Sequence, residues 1–141
     1  MAFWGAPIDD ERHAENAVVT ALIMVDNLLL FRKTLPKELQ DFDIGIGIHS
    51  GEAVVGMLGS KRRFDYTAIG DTVNLASRIE GVTKGRARVL VSQVTKDLCE
   101  GKFEFIYSGE FAVKGREEKV KLYEPKELGL SNTTTFIRKS T

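Results

Sequence analysis

Cysteine is nearly absent from this chain: Cys99 stands alone among 141 residues. No internal disulfide can form, and neither Cys99 nor the two histidines, His13 and His49, fall into a zinc-site spacing. A reducing, cytoplasmic setting is the expected one, with Cys99 a small apolar residue near a helix end. Net charge of either sign is lacking too. Twenty Lys and Arg balance twenty Asp and Glu, so the basic footprint of a nucleic-acid binder is missing and nucleic acid is not an expected partner. Long apolar runs are absent. The most hydrophobic stretch, Ala21 to Phe31, is broken by Asp26 and Asn27, which predicts no membrane contact from this segment. Met1 is not followed by a signal-peptide pattern, and there is no internal repeat.

What is present suits one domain with one core: 43% of the residues are hydrophobic. Met1 to Gly5 reads as the end of a strand, as if the chain began inside a longer domain. After a polar turn at Ile8 to Arg12, where Asp9 or Asp10 can cap, Ala14, Ala17, Val18, Ala21, Leu22, Val25, Leu28 and Leu29 recur at steps of three and four. That stripe predicts a helix laid on a sheet, ended by Pro36. Asp43 to His49 reads as a strand with Ile44, Ile46 and Ile48 on one face and Gly45 and Gly47 on the other. Paired glycines in a strand call for close approach by a packed helix or a ligand. Ser50-Gly51-Glu52 is read as a tight turn, with Ala53 to Leu58 returning as the second strand of a hairpin. Lys61-Arg62-Arg63 reads as a solvated loop, with phosphate binding as the alternative.

Phe64 to Ile69 is expected to be extended, followed by a helix from Asp71, as its cap, to about Glu80. Val73, Ala76 and Ile79 would form its buried side. Arg88 to Ser92 reads as a strand, Gln93 to Cys99 as a short helix, and Phe103 to Val113 and Val120 to Glu124 as two more strands joined through Lys114-Gly115-Arg116. Residues 129–141 turn polar and threonine-rich, which predicts a flexible tail. The fold class is α+β, a sheet with helices over one face.

The stretch with most chemistry is Asp65 to Glu80. Asn74 and Arg78 are four apart and share a helix face. A helix start favours anions through its free amides, and an arginine fork matches phosphate oxygens. A merely solvated polar face accounts for the same residues.

The segment Gly70-Asp-Thr-Val-Asn-Leu-Ala-Ser-Arg78 resembles the signature of class III adenylate and guanylate cyclases. So do Ile44-Gly-Ile-Gly-Ile-His-Ser-Gly-Glu-Ala-Val-Val-Gly56, Met1-Ala-Phe-Trp-Gly-Ala-Pro7 and Ala112-Val-Lys-Gly115, in the expected order over about residues 1 to 126. The resemblance implies a ferredoxin-like cyclase fold, incomplete at the N-terminus, with residues 1–128 as a partial catalytic domain. It further implies a head-to-tail dimer with a second cyclase domain, ATP as substrate, and cyclic AMP and pyrophosphate as products of a signalling enzyme. Carried over, Asn74 would orient the ribose, Arg78 would stabilise the α-phosphate, Lys114 would meet the terminal phosphates and Thr67 would read the base edge. Threonine there is similar to a bacterial-type adenylate cyclase subgroup, and its hydroxyl can accept from the adenine amino group. The two magnesium (or manganese) ions that the family uses have no ligands in this chain, since the metal aspartates would lie upstream of Met1. The isolated chain is therefore expected to be inactive and marginally folded, with Val18, Leu22, Val25 and Leu29 short of packing partners. A guanylate cyclase and a non-catalytic dimerisation or regulatory module are the alternatives.

Overall fold

The computed structural model describes residues 1–128; the tail expected over 129–141 lies outside them. Two helices, α1 (His13–Arg32) and α2 (Asp71–Gly81), a shorter α3 (Gln93–Leu98) and six strands make up the framework. Strands β1 (Ile46–Ile48), β4 (Val89–Ser92), β6 (Val120–Glu127) and β5 (Phe103–Phe111) form one sheet in that spatial order, with β1 and β4 parallel and the other pairs antiparallel. Strands β2 (Val54–Ser60) and β3 (Arg63–Ile69) pair only with each other.

The helical stripe of α1 is placed as its periodicity predicts. Ala14, Ala17, Val18 and Ala21 are buried against Ile48, Val89, Val91 and Cys99. Leu22 and Val25 are half-buried, and Leu29 is 38% exposed. The helix begins at His13 rather than at an aspartate cap. Asp10 lies just ahead, accepting from the Arg12 N–H at 2.9 Å and from Asn16 Nδ2 at 2.9 Å. α1 is 20 residues long and holds an 18-residue stretch of mean hydropathy 1.5, long and apolar enough to cross a membrane by length and composition. The same length and composition suit a helix packed on a sheet, which is where its buried side lies. One side of α1 is spent on the sheet, while Ile23, Met24, Leu30 and Phe31 are exposed.

Three further expectations need correcting. First, helices cover both faces of the main sheet, not one. Val89 and Val91 of β4 meet α1, whereas Leu90, between them, packs with Leu75 and Ile79 of α2 and with Leu122 and Val113. Alternation along a strand sends neighbours to opposite faces, and all four residues of β4 are buried. Second, β1 is not half of a hairpin with residues 53–58. It pairs with β4, Ile46 opposite Val89, and β2 pairs with β3, Val54 opposite Ile69. The tight turn that closes this hairpin therefore falls at Lys61-Arg62. Third, Met1 to Gly5 is irregular, with the Phe3 ring 5.9 Å from that of Tyr66 on β3.

Gly47 of β1 and Gly45 just ahead of it answer to a packed helix and the turn that follows it. A methyl on Gly47 would sit 2.2 Å from the Glu80 backbone nitrogen and 2.5 Å from the Ala76 carbonyl oxygen; one on Gly45 would sit 2.1 Å from Thr83 Oγ1. With no side chains between them, α2 rests directly on the strand backbone. Leu75 and Ile79, rather than Val73 and Ala76, are its fully buried residues, each worth about 1.5–3 kcal/mol of apolar burial.

Candidate functional site

The seating of α2 decides which residues it presents outward. Leu75 and Ile79 point into the core, and Asn74 and Arg78 lie on the exposed side. Asp71, Asn74 and Arg78 fall at i, i+3 and i+7, a single stripe along the helix. The cap position is Gly70, not Asp71 as the sequence suggested. Its φ of +133° is one that side-chain-bearing residues rarely adopt. The amides of the first turn have no partners within the helix, as at any helix start.

Asp71 is turned to another purpose. Its carboxylate accepts a hydrogen bond from Arg116 Nη2, which holds the carboxyl below the usual carboxylate range; the charges of Arg116 and, more weakly, Arg78 act in the same direction. No local pattern signals this pair, whose members are 45 residues apart. It draws the connection between β5 and β6 to the start of α2. Val113, buried among Leu75, Ile79, Leu90 and Leu122, anchors that connection from beneath. Lys114 follows directly and is exposed, and Gly115, with a φ of +87°, turns the chain so that Arg116 N–H reaches the Val113 carbonyl at 3.0 Å.

Thr67 lies on β3, half-buried and opposite Gly56 of β2, three residues before the α2 cap. The segment that leads into β2 is tied to α2 by Thr72, whose hydroxyl donates to the Glu52 carbonyl at 2.5 Å. Asn74, Arg78 and Lys114 thus gather around α2, and Thr67 sits on the strand that leads into it. Lys61-Arg62-Arg63 does not join them. The hairpin tip is roughly 20 Å of strand away from Ile69 at about 3.3 Å per residue, and Arg63 is 3.4 Å from Asp65.

Beside Arg116 lies His49, another residue to which the sequence reading gave no role. Its Nδ1 shares a 2.8 Å hydrogen bond with Ser92 Oγ. Ser92 and Ser50 both hydrogen-bond Thr95 Oγ1, at 3.3 and 3.0 Å. Burial pushes the His49 pKa down, and the Arg116 charge adds to that. Together with Arg116, Leu75 and residues 117–121, His49 lines an open groove alongside α2.

The donor set does not fit a metal pair. Among the described residues, no three or more His, Cys, Asp or Glu side chains converge as a metal-binding group, and the carboxylate at the start of α2 is engaged by Arg116. The stripe and its neighbouring turn offer an asparagine amide, an arginine fork and an ammonium, which are groups that suit phosphate and hydroxyl oxygens.

Comparison with known proteins finds relatives over most of the chain. Residues 1–126 match the family described as the adenylate and guanylate cyclase catalytic domain. Adenylate cyclase 1 of Rhizobium meliloti is 42% identical over 126 residues, covering 88% of this chain but 19% of that protein. The adenylyl cyclase CyaB of P. aeruginosa superposes with a TM-score of 0.73 at 30% identity, over 89% of this chain and 68% of that one. A guanylyl cyclase superposes with a TM-score of 0.78 at 29% identity, over 89% and 64%. The matched stretch is thus about a fifth of the Rhizobium protein's length. With the ordered motifs, the mixed α+β architecture and the matched span in agreement, the chain belongs to the adenylate and guanylate cyclase catalytic domain family.

Proposed function

We propose that this chain is the nucleotide-gripping part of an adenylate cyclase. It would convert ATP to cyclic AMP and pyrophosphate in partnership with a second cyclase domain. The observation that carries the proposal is the exposed stripe of Asn74 and Arg78, with the Lys114 turn fastened beside it. In the reaction, the ribose 3′ oxygen bonds to the α-phosphorus as the bond from that phosphorus to the pyrophosphate oxygen breaks. Negative charge grows on the phosphate oxygens, and preorganised cations aimed at that charge are the main source of rate.

Arg78 is assigned to the α-phosphate oxygens and Lys114 to the terminal phosphates of the leaving pyrophosphate. The Asn74 amide would hold the ribose in line for attack. The Thr67 hydroxyl would accept from the adenine amino group. Metal chemistry is assigned to the partner domain, because the donors found here do not suit it. Adenine is preferred on Thr67 and on the name of the Rhizobium relative; the similarity to a guanylyl cyclase fold keeps GTP as the second reading.

The test is complementation. This chain is mixed with a homologous full catalytic domain whose own α2 arginine has been replaced, and cyclic AMP formation from ATP is followed with manganese. Activity that disappears with Arg78→Ala in this chain supports the proposal, and a preference for GTP turns it to the second reading. Silence from a mixture shown by sedimentation to form the heterodimer refutes it in favour of a non-catalytic module.

A further inference from the structure

The connection between β5 and β6, residues 112–119, carries Lys114 but has few ties of its own. Val113 is its one buried residue. Lys119 Nζ reaches Glu110 Oε1 at 3.3 Å and closes the base of the loop. Among the described residues, the hydrogen-bonded ion pair from Arg116 to Asp71 is the one polar side-chain link from this loop to α2, beside the apolar packing of Val113 on Leu75 and Ile79. Asp71 belongs to the same helical stripe as Asn74 and Arg78, so the pair lands on the face that would meet a nucleotide. We propose that Asp71 and Arg116 are positioning residues: their ion pair clasps the Lys114 turn to the α2 stripe and so tunes the site for a triphosphate chain rather than a single phosphate.

This rests on the nucleotide-gripping reading given above, and the sign of one substitution separates it from plain electrostatics. The cationic groups acting on the Asp71 carboxylate are Arg116, Arg78 and, when protonated, His49; Lys114 adds its charge two residues before Arg116 in the loop. If charge alone mattered, Asp71→Asn would remove a repulsive carboxylate and tighten anion binding. If the clasp matters, the same substitution frees the turn, and Lys114 no longer waits where the terminal phosphates arrive. An exposed ion pair is worth little, so the effect is modest: about two- to five-fold.

The experiment measures ATP and AMP affinity of the full chain by calorimetry at low ionic strength. Wild type, Asp71→Asn, Arg116→Ala and the exchanged pair Asp71→Arg with Arg116→Asp are compared. AMP lacks the phosphates assigned to Lys114, so the ratio of the two affinities isolates the turn. The ratio is expected to fall about two- to five-fold in both single variants and to recover in the exchanged pair. Trypsin should cleave after Lys114 faster in Asp71→Asn, a readout that needs no nucleotide. An Asp71→Asn chain that prefers ATP as strongly as wild type or more so, with cleavage unchanged, overturns the clasp alone. A wild-type chain that binds neither nucleotide overturns the nucleotide-gripping reading and the clasp with it.

Discussion

Replacing Gly47 by alanine sets two effects of opposite sign against each other. Restricting the unfolded chain would stabilise the protein by about 0.4–1 kcal/mol if the added methyl found room. It finds none. The methyl carbon would lie 2.2, 2.5 and 2.8 Å from backbone atoms of Glu80 and Ala76. Backbone in the middle of a helix cannot rotate aside as a side-chain tip can. Bringing the closest of these contacts to 3.4 Å means lifting α2 by about 1.2 Å from β1. Overpacking of this kind costs about 1–3 kcal/mol, and the lift also loosens Leu75 and Ile79 from Leu90. The clash therefore outweighs the entropy gain, for a net loss of about 1.3 kcal/mol. At roughly 4 °C per kcal/mol for a domain of this size, the melting midpoint should fall by about 5 °C. Gly56→Ala is the matched control, since its methyl would meet no atom within 4 Å; its midpoint should hold or rise slightly. Calorimetric melts of the three chains decide the matter. A Gly47→Ala protein melting at or above the wild-type midpoint would refute the direct seating of α2 on β1, and with it the placement of Asn74 and Arg78.

Other consequences can be checked by simpler means. Ile79→Ala should lower unfolding free energy by about 2–5 kcal/mol in urea titrations, because Ile79 is fully buried where α2 meets the sheet. His49 has its pKa pushed down by burial, so the folded state binds its proton less readily than the unfolded chain, whose imidazole titrates near pH ~6.5. Its stabilising contribution is complete above that pH and is lost as the pH falls toward the folded-state pKa. The drop in urea midpoint between pH 7.5 and 5.5 should therefore be smaller in His49→Gln than in wild type. Cys99 is fully buried and its thiol pKa is raised by burial. A thiol reagent should label it slowly in the native protein and at once in urea, and rapid native labelling would contradict its burial.

Local signals in the sequence specify the helices and most strands, and strand pairing is not among them. The stripe of α1, the extent of α2, and strands β4, β5 and β6 follow from periodicity, capping glycines and short apolar runs, all of which act within a few residues. The partner of β1 is another matter. Ile46 to Ile48 and Val54 to Ser60 are separated by a short polar segment with a glycine, which resembles a hairpin turn, yet β1 takes a parallel neighbour some forty residues later. Nothing in the alternation of isoleucine and glycine specifies that choice; it comes from burying β4 on both faces. The two-sided covering is hidden for the same reason, since the Val-Leu-Val run in β4 is equally compatible with a sheet covered once. For the site, Asn74 and Arg78 were legible from their spacing and from the family motif. The Asp71–Arg116 pair and the place of His49 were not, because each depends on a loop folding back over many residues.

Strand β4 has a consequence for cooperativity. Val89 and Val91 belong to the layer under α1, and Leu90 belongs to the layer under α2, so neither layer can melt while the other stays intact around that strand. Its amides should exchange with solvent deuterium only on global unfolding. The β2–β3 hairpin stands outside this bond between layers. It joins no other strand and gives the core only Ala68, and such segments open locally at low free energy. Arg78 and Asn74 are thus mounted on a helix seated on that strand, and Thr67 on the hairpin outside it. Phosphate contact would be held rigidly, while the base would be met by a strand still able to adjust.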